Sequence, residues 1–209
     1  MADFIEKDDD LPNYKYFSVD RMGEVFFPKA TYKDYKRIPD DIHCELIDGV
    51  FYVMASPDEV HQWISGELFT QLKFQLQGKK CTPYYEFDVR LFYSEDESDV
   101  TTVRPDLIVV CDKTKVRGKK SCEGVPDFII EIMSSSSQKR DFEEKKAEYE
   151  KAGVKEYWIV AQAVVHMFLL AGNAYTEHTL NLKQSAIIES STLDGLSLNF
   201  QPVIDEFDW

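Results

Sequence analysis

A glutamate stands in the middle of the most strand-like apolar run of this chain, Asp127-Phe-Ile-Ile-Glu-Ile-Met133. Twenty-five residues before Glu131, Asp106 sits near the start of a second such run, Pro105-Asp-Leu-Ile-Val-Val-Cys111. An ionised carboxylate in a buried strand is costly unless something pairs with it. Two such groups on neighbouring strands also repel each other, and a divalent cation between them removes both problems. A fold that accepts these strands must bring them a counter-charge, and an acidic metal site is the first expectation.

Composition narrows the remaining choices. The chain has 209 residues, 44% of them hydrophobic and 13% aromatic, which suits one globular domain with a good core. No apolar run approaches the roughly 18 residues needed to span a bilayer, so no membrane partner is expected. The start, Met-Ala-Asp-Phe-Ile-Glu-Lys-Asp-Asp-Asp, lacks the basic end and apolar stretch of a signal peptide, and a cytoplasmic protein is expected. Cys44, Cys81, Cys111 and Cys122 match no zinc spacing and read as ordinary reduced thiols. The net charge of −14 opposes non-specific binding to nucleic acid, which depends on neutralising phosphates. A nucleic-acid function therefore needs a local basic strip or a metal. Lys113, Lys115, Arg117, Lys119 and Lys120 could form that strip, or simply a solvated loop.

The pattern along the chain predicts an N-terminal extension over residues 1–28 and one domain over 29–209. Thr31 caps a short helix through Tyr35, and Glu45–Met54 reads as a hairpin turning at Asp48-Gly49. Ser56-Pro57-Asp58-Glu59 begins a long amphipathic helix with Val60, Ile64, Leu68, Leu72 and Leu76 on one face. His61 falls on that face near the helix start, as a satisfied core residue or as a proton carrier beside a cleft. Strands are expected near 84–92, 104–111 and 126–133, with the acidic stretch Ser94–Asp99 as a solvated tip. A helix over about 138–152 ends at Gly153. The serines Ser134–Ser137 read as its cap. Tyr157–Val160 and Val164–Leu170 form a further strand pair, and residues 174–209 add short strands or turns. This order predicts an α/β architecture around a mixed central sheet flanked by helices, with added hairpins.

The helix over 138–152 carries a second anomaly. Phe142, Tyr149 and Ala152 mark its apolar stripe, and Lys145 sits near the centre of it. Such a lysine either snorkels from the stripe edge or points inward at the two carboxylates. Asp141, four residues earlier, could hold its ammonium.

Taken together, these residues resemble a known family. Arg104-Pro-Asp106, Val125-Pro-Asp-Phe-Ile-Ile-Glu-Ile-Met-Ser134 and Asp141-x-x-x-Lys145-x-x-x-Tyr149-x-x-Ala-Gly-Val154-x-Glu-Tyr-Trp-Ile-Val160 resemble the bacterial "putative restriction endonuclease" family of the PD-(D/E)XK nuclease superfamily. Glu45-Leu-Ile-Asp-Gly49, Met54, His61-Gln62 and Ser191-Thr-Leu-Asp-Gly-Leu196 match as well. The resemblance implies a restriction-endonuclease-like fold and a Mg²⁺- or Mn²⁺-dependent DNA endonuclease. It implies Asp106 and Glu131 as metal ligands, Glu45 as a third, Lys145 as the catalytic lysine, and His61 and Asp141 as accessory residues. The superfamily's lysine two residues after the glutamate is replaced here by Met133, and Lys145 is expected to take over its role. Where relatives often read Asp-Pro after the Val160 equivalent, this chain reads Ala161-Gln162. DNA is the expected substrate, and cutting both strands of a duplex favours a homodimer. A non-catalytic nuclease-fold protein that acts by binding another protein is the competing expectation.

Overall fold

Apolar runs punctuated by Gly, Pro and Asp turns form the strands of this chain, and helices cover the main sheet. The computed structural model describes residues 18–19, 25–26, 29–39, 41–134 and 140–209. Strands β1 (Ser18–Val19) and β2 (Val25–Phe26) pair with each other, and the rest of the expected extension over 1–28 lies outside the described residues. Helix α1 (Tyr32–Tyr35) starts where expected, with Asp34 accepting hydrogen bonds from both the N–H and the hydroxyl of Thr31. Strands β3 (Cys44–Ile47) and β4 (Val50–Val53) form the predicted hairpin. Its turn residues Asp48 and Gly49 have φ of 47° and 81°, the left-handed pair that Asp-Gly supplies.

Helix α2 (Glu59–Leu76) buries Ile64, Leu68, Leu72 and Leu76, as the four-residue repeat predicts. Within the expected start Ser56-Pro57-Asp58-Glu59, where Ser56 is the cap that the sequence suggests, the cap is Asp58, whose carboxylate accepts the His61 N–H at 2.9 Å. Val60 is 37% exposed, so the buried stripe begins one turn later than expected. Then come β5 (Thr82–Tyr85), β6 (Val89–Arg90), β7 (Thr102–Val103), β8 (Leu107–Val110), β9 (Cys122–Glu123) and β10 (Phe128–Ile132). The expected strand over 84–92 is split at Glu86, whose φ is 43°, and Pro105 lies in the break between β7 and β8.

A π-helical turn, Arg140–Lys145, leads into helix α3 (Lys146–Ala152), which ends at Gly153 with φ 86°. Residues 135–139 lie outside the described residues, and the expected serine cap falls largely on them. The chain finishes with β11 (Glu156–Ala161), β12 (Val164–Ala171), β13 (Ala174–Asn181), β14 (Ile187–Glu189), β15 (Ser197–Asn199) and a short helix α4 (Gln201–Phe207).

The main sheet has six strands in the order β13-β12-β11-β10-β8-β5, and a second has five in the order β4-β3-β7-β6-β9. Both are mixed. The parallel pair β10–β11 is joined through α3, the kind of crossover that parallel neighbours require. Side chains on the central strands alternate between two cores. Phe128, Ile130 and Ile132 pack with Leu107, Val109 and the α2 stripe, whereas Ile129 packs with Ile108, Val110, Tyr149 and Tyr157. With both faces covered, β10 is buried along its whole length, which is why its sequence runs apolar without alternation.

Two expectations are corrected. Asp99, at the end of the supposedly solvated stretch Ser94–Asp99, is buried and paired with both Nε and Nη2 of Arg90. The Arg90 guanidinium in turn lies 3.8 Å from the centre of the Tyr32 ring. Cys81 and Cys111, expected as free thiols, are joined by a disulfide. The pairing Thr82↔Val110 puts these two cysteines opposite each other at the end of the β5–β8 ladder, a proximity that a spacing of 30 residues does not reveal. Cys44 and Cys122 are free and buried, and burial pushes their thiols up to about 11 and about 12. Among the described residues, no helix is long and apolar enough to cross a membrane.

Candidate active site

The antiparallel register of β8 and β10 pairs Leu107 with Ile130, and one step further along it brings Asp106 beside Glu131. Their contacts follow that register. The Asp106 N–H donates to Glu131 Oε2 at 3.3 Å, and the Ile132 N–H donates to Asp106 Oδ2 at 2.7 Å. By alternation both side chains belong to the face covered by α3, so the two carboxylates share one side of the sheet. Both are buried.

The counter-charge arrives from the π-helical turn. Lys145 is 3% exposed, and its Nζ lies 2.5 Å from Glu131 Oε1, 2.9 Å from Glu45 Oε1 and 3.8 Å from Asp141 Oδ1. Wider helical turns of this kind recur at functional sites, and this one precedes α3 where the lysine must point inward. Burial works against the Lys145 ammonium, but Glu131 and Glu45 outweigh it and hold its pKa well above the ordinary lysine value. Burial pushes the Glu131 carboxyl up, and Asp106, Asp141 and Glu45 add to that while Lys145 opposes it.

A second layer fixes these groups. Tyr149, one turn beyond Lys145, donates its hydroxyl to Glu131 Oε1 at 2.9 Å. Burial, then the Glu131 charge, raise its pKa, so it stays a donor. His61 at the start of α2 places Nε2 3.0 Å from Asp106 Oδ1. Burial lowers the His61 pKa, but bonding to Asp106 and its charge reverse the effect and the net shift is upward. Glu45 accepts the Arg104 N–H at 2.9 Å in addition to Lys145, and Arg140 stands 3.8 Å from its other oxygen.

All six residues singled out in the sequence, Glu45, His61, Asp106, Glu131, Asp141 and Lys145, line one cleft of about 190 Å³. Glu45 meets the group through Lys145 rather than by lying against Asp106. Among the described residues, no three His, Cys, Asp or Glu side chains are arranged to hold a metal ion. Tyr149, which the sequence marks as a stripe residue and as part of the family motif but not as a site residue, also belongs to the site, and its place one turn after Lys145 is the available signal. Arg104 and Arg140, to which the sequence assigns no site role, line the cleft as well, the Arg104 guanidinium being paired with Asp88. The basic loop 113–120 lies beyond the other end of β8 from Asp106 and lines no part of the cleft.

A family model described as "Putative restriction endonuclease" matches residues 31–201. The chain belongs to that family. Among solved structures, it is similar to a crystal structure of "a putative nuclease belonging to DUF820" from Anabaena variabilis. The TM-score is 0.67 at 15% identity, over 84% of this chain and 97% of that one, a likeness of fold. No curated protein matches the chain.

Proposed function

We propose that this protein is a Mg²⁺- or Mn²⁺-dependent DNA endonuclease that hydrolyses phosphodiester bonds at the cleft holding Asp106, Glu131 and Lys145. The observation that carries this reading is the charge imbalance of the cleft. Among the described residues, its lining includes six carboxylates (Glu45, Asp58, Glu86, Asp106, Glu131 and Asp141) against three cations (Arg104, Arg140 and Lys145). An excess of that kind calls for another cation, and the donors are the hard oxygens that Mg²⁺ prefers. Mg²⁺ is commonly held by only one or two protein carboxylates, with water and substrate phosphate completing its shell, so Asp106 and Glu131 suffice.

In this proposal Asp106 and Glu131 hold the ion, and Glu45 with Asp141 holds Lys145. When bound, the cation supplies positive charge to the phosphodiester and acidifies a water. Lys145, kept protonated by its neighbours, stabilises negative charge developing on the phosphate rather than accepting a proton. Tyr149 and His61 fix the rotamers of Glu131 and Asp106. Arg104 and Arg140 at the cleft wall offer donors to phosphate oxygens. No nucleophilic side chain is needed. Cutting both strands of a duplex would need two such clefts, most simply in a two-fold dimer. The alternative, a non-catalytic protein that binds another protein, draws on the net charge of −14 but leaves the acidic cleft without a purpose.

Titration calorimetry with Mn²⁺ tests the metal directly. The wild type should bind the ion, and Asp106→Asn should weaken binding at least about tenfold, as the loss of a ligand costs no less than disturbing its support. Indistinguishable heats for the two proteins would remove Asp106 from the site.

A further inference from the structure

At the end of α2 farthest from the cleft, Phe74 is 80% exposed, the most exposed large apolar side chain among the described residues. It borders a depression of about 690 Å³ together with Lys73, Lys79 and Lys113. Among the described residues, no carboxylate lines this depression. In a chain of net charge −14, that is a marked local reversal of sign. Exposed Asp112 borders this surface next to Lys113, and its pKa is lowered by the hydrogen bonds from Thr114 and then by the charges of Lys115 and Lys80. The end of α2 and the start of the basic loop therefore form one cationic surface. The loop continues through exposed Arg117 and Lys119, the latter paired with Glu123, to Lys120, which lines a second groove with Asp88, Lys36 and Arg104, and there Arg104 is paired with Asp88 and Lys36 with Glu97. Arg104 also lines the acidic cleft. Net positive lining is thus concentrated at the depression beside Phe74, where Lys73, Lys79 and Lys113 meet.

We infer that this depression holds a single-stranded stretch of nucleic acid, with phosphates on Lys73, Lys79 and Lys113 and a base stacked on Phe74. The inference rests on the nuclease reading for its choice of polyanion. The combination of surface lysines with an exposed aromatic ring is what single-strand binding uses, because every base has a face to stack and every linkage a charge. A duplex keeps its bases stacked internally and has none to offer Phe74. Phe74 is thirteen residues along α2 from His61, about 20 Å at 1.5 Å per residue, so the contact falls several nucleotides from the reacting phosphate. An acidic protein segment is the competing occupant, but its carboxylates would use the lysines and leave Phe74 without a base to stack on.

Fluorescence anisotropy in EDTA, which suppresses cleavage, tests this with a labelled 20-nucleotide oligothymidylate, a duplex of equal length and a polyglutamate peptide. The combined variant Lys73→Gln, Lys79→Gln, Lys113→Gln should bind the single strand at least about tenfold more weakly, with a log–log salt slope smaller by about 2. Phe74→Ser should weaken single-strand binding about tenfold and leave duplex binding unchanged. All four side chains are exposed, so the variants should melt with the wild type. Unchanged single-strand affinity in both variants, or polyglutamate binding as tight as the oligonucleotide and equally sensitive to the lysines, would overturn the inference. Failure of the nuclease reading looks different: wild type that binds the strand through these residues but does not cleave it with Mg²⁺ or Mn²⁺.

Discussion

Lys145→Met should destabilise the protein strongly at neutral pH as well as inactivate it. The substitution keeps the length and the apolar stem but removes the charge between Glu131 and Glu45. Breaking a buried pair by removing one partner costs about 3–5 kcal/mol. At about 2–4 °C per kcal/mol for a protein of this size, melting should fall by roughly 6–20 °C. Any remaining activity per folded molecule should drop about 10²-fold or more, as expected for loss of a positioned charge. The pH dependence has a definite sign. The folded-state pKa of Lys145 is raised, so its stabilisation is complete below the unfolded value of about 10.4 and is lost as pH rises through the folded value. In the wild type this loss should appear only in strong alkali. Glu131 has a raised folded pKa, so its ionisation opposes folding as pH climbs from its unfolded value of about 4.3. Without Lys145 that cost is unopposed. The melting deficit of the variant should therefore be small near pH 4.5 and grow toward pH 7.5. Adding Glu131→Gln to Lys145→Met should recover part of it. A single variant melting within about 1 °C of wild type at pH 7.5 would show that Lys145 is not held in this pair.

Glu156→Ala should cost comparable stability while leaving the chemistry alone. Glu156 is fully buried, and its two oxygens accept five hydrogen bonds. One comes from Trp158 Nε1 at 2.8 Å, and four from the Ser190–Thr192 turn: Ser190 Oγ, the N–H groups of Ser191 and Thr192, and Thr192 Oγ1 at 2.6 Å. The carboxylate fastens the β14–β15 connection to the start of β11. Truncation strands the buried Trp158 N–H, while the turn can be rehydrated. At about 1–3 kcal/mol for each buried group left unpaired, and more where the lost partner is charged, a loss of about 3 kcal/mol follows. Melting should fall by roughly 6–12 °C. Activity per folded molecule should stay within about twofold, since no part of Glu156 lines the cleft. Glu156→Gln should recover only part of the stability, because an amide nitrogen cannot accept. Unchanged melting of the alanine variant would show that the turn does not depend on this anchor.

The elements of the fold that local rules govern are legible in the sequence. The Asp48-Gly49 turn, the α2 stripe and the Gly153 stop each follow from a few neighbouring residues, and the structure contains each. Glu131 is legible for the opposite reason: it violates the apolar run around it, and the structure surrounds it with the lysine and tyrosine that such a violation requires. What stays hidden depends on partners far along the chain. The Cys81–Cys111 bond needs the β5–β8 register. Burial of Asp99 needs Arg90 folded against Tyr32. The five bonds to Glu156 arrive from more than thirty residues away, apart from that of Trp158. The π-helical widening at Arg140–Lys145 has no signature in hydrophobic periodicity, yet it sets where Lys145 points.

The most direct measurement is nicking of supercoiled plasmid by wild type and Glu131→Gln purified side by side, with Mg²⁺, Mn²⁺ or EDTA. The amide keeps the shape of Glu131 and removes the charge that a cation needs. The account predicts metal-dependent nicking by the wild type, none in EDTA, and a loss of at least about 10²-fold in a variant that remains folded by circular dichroism. Equal nicking by the two proteins, or no nicking by wild type with either metal, would contradict it.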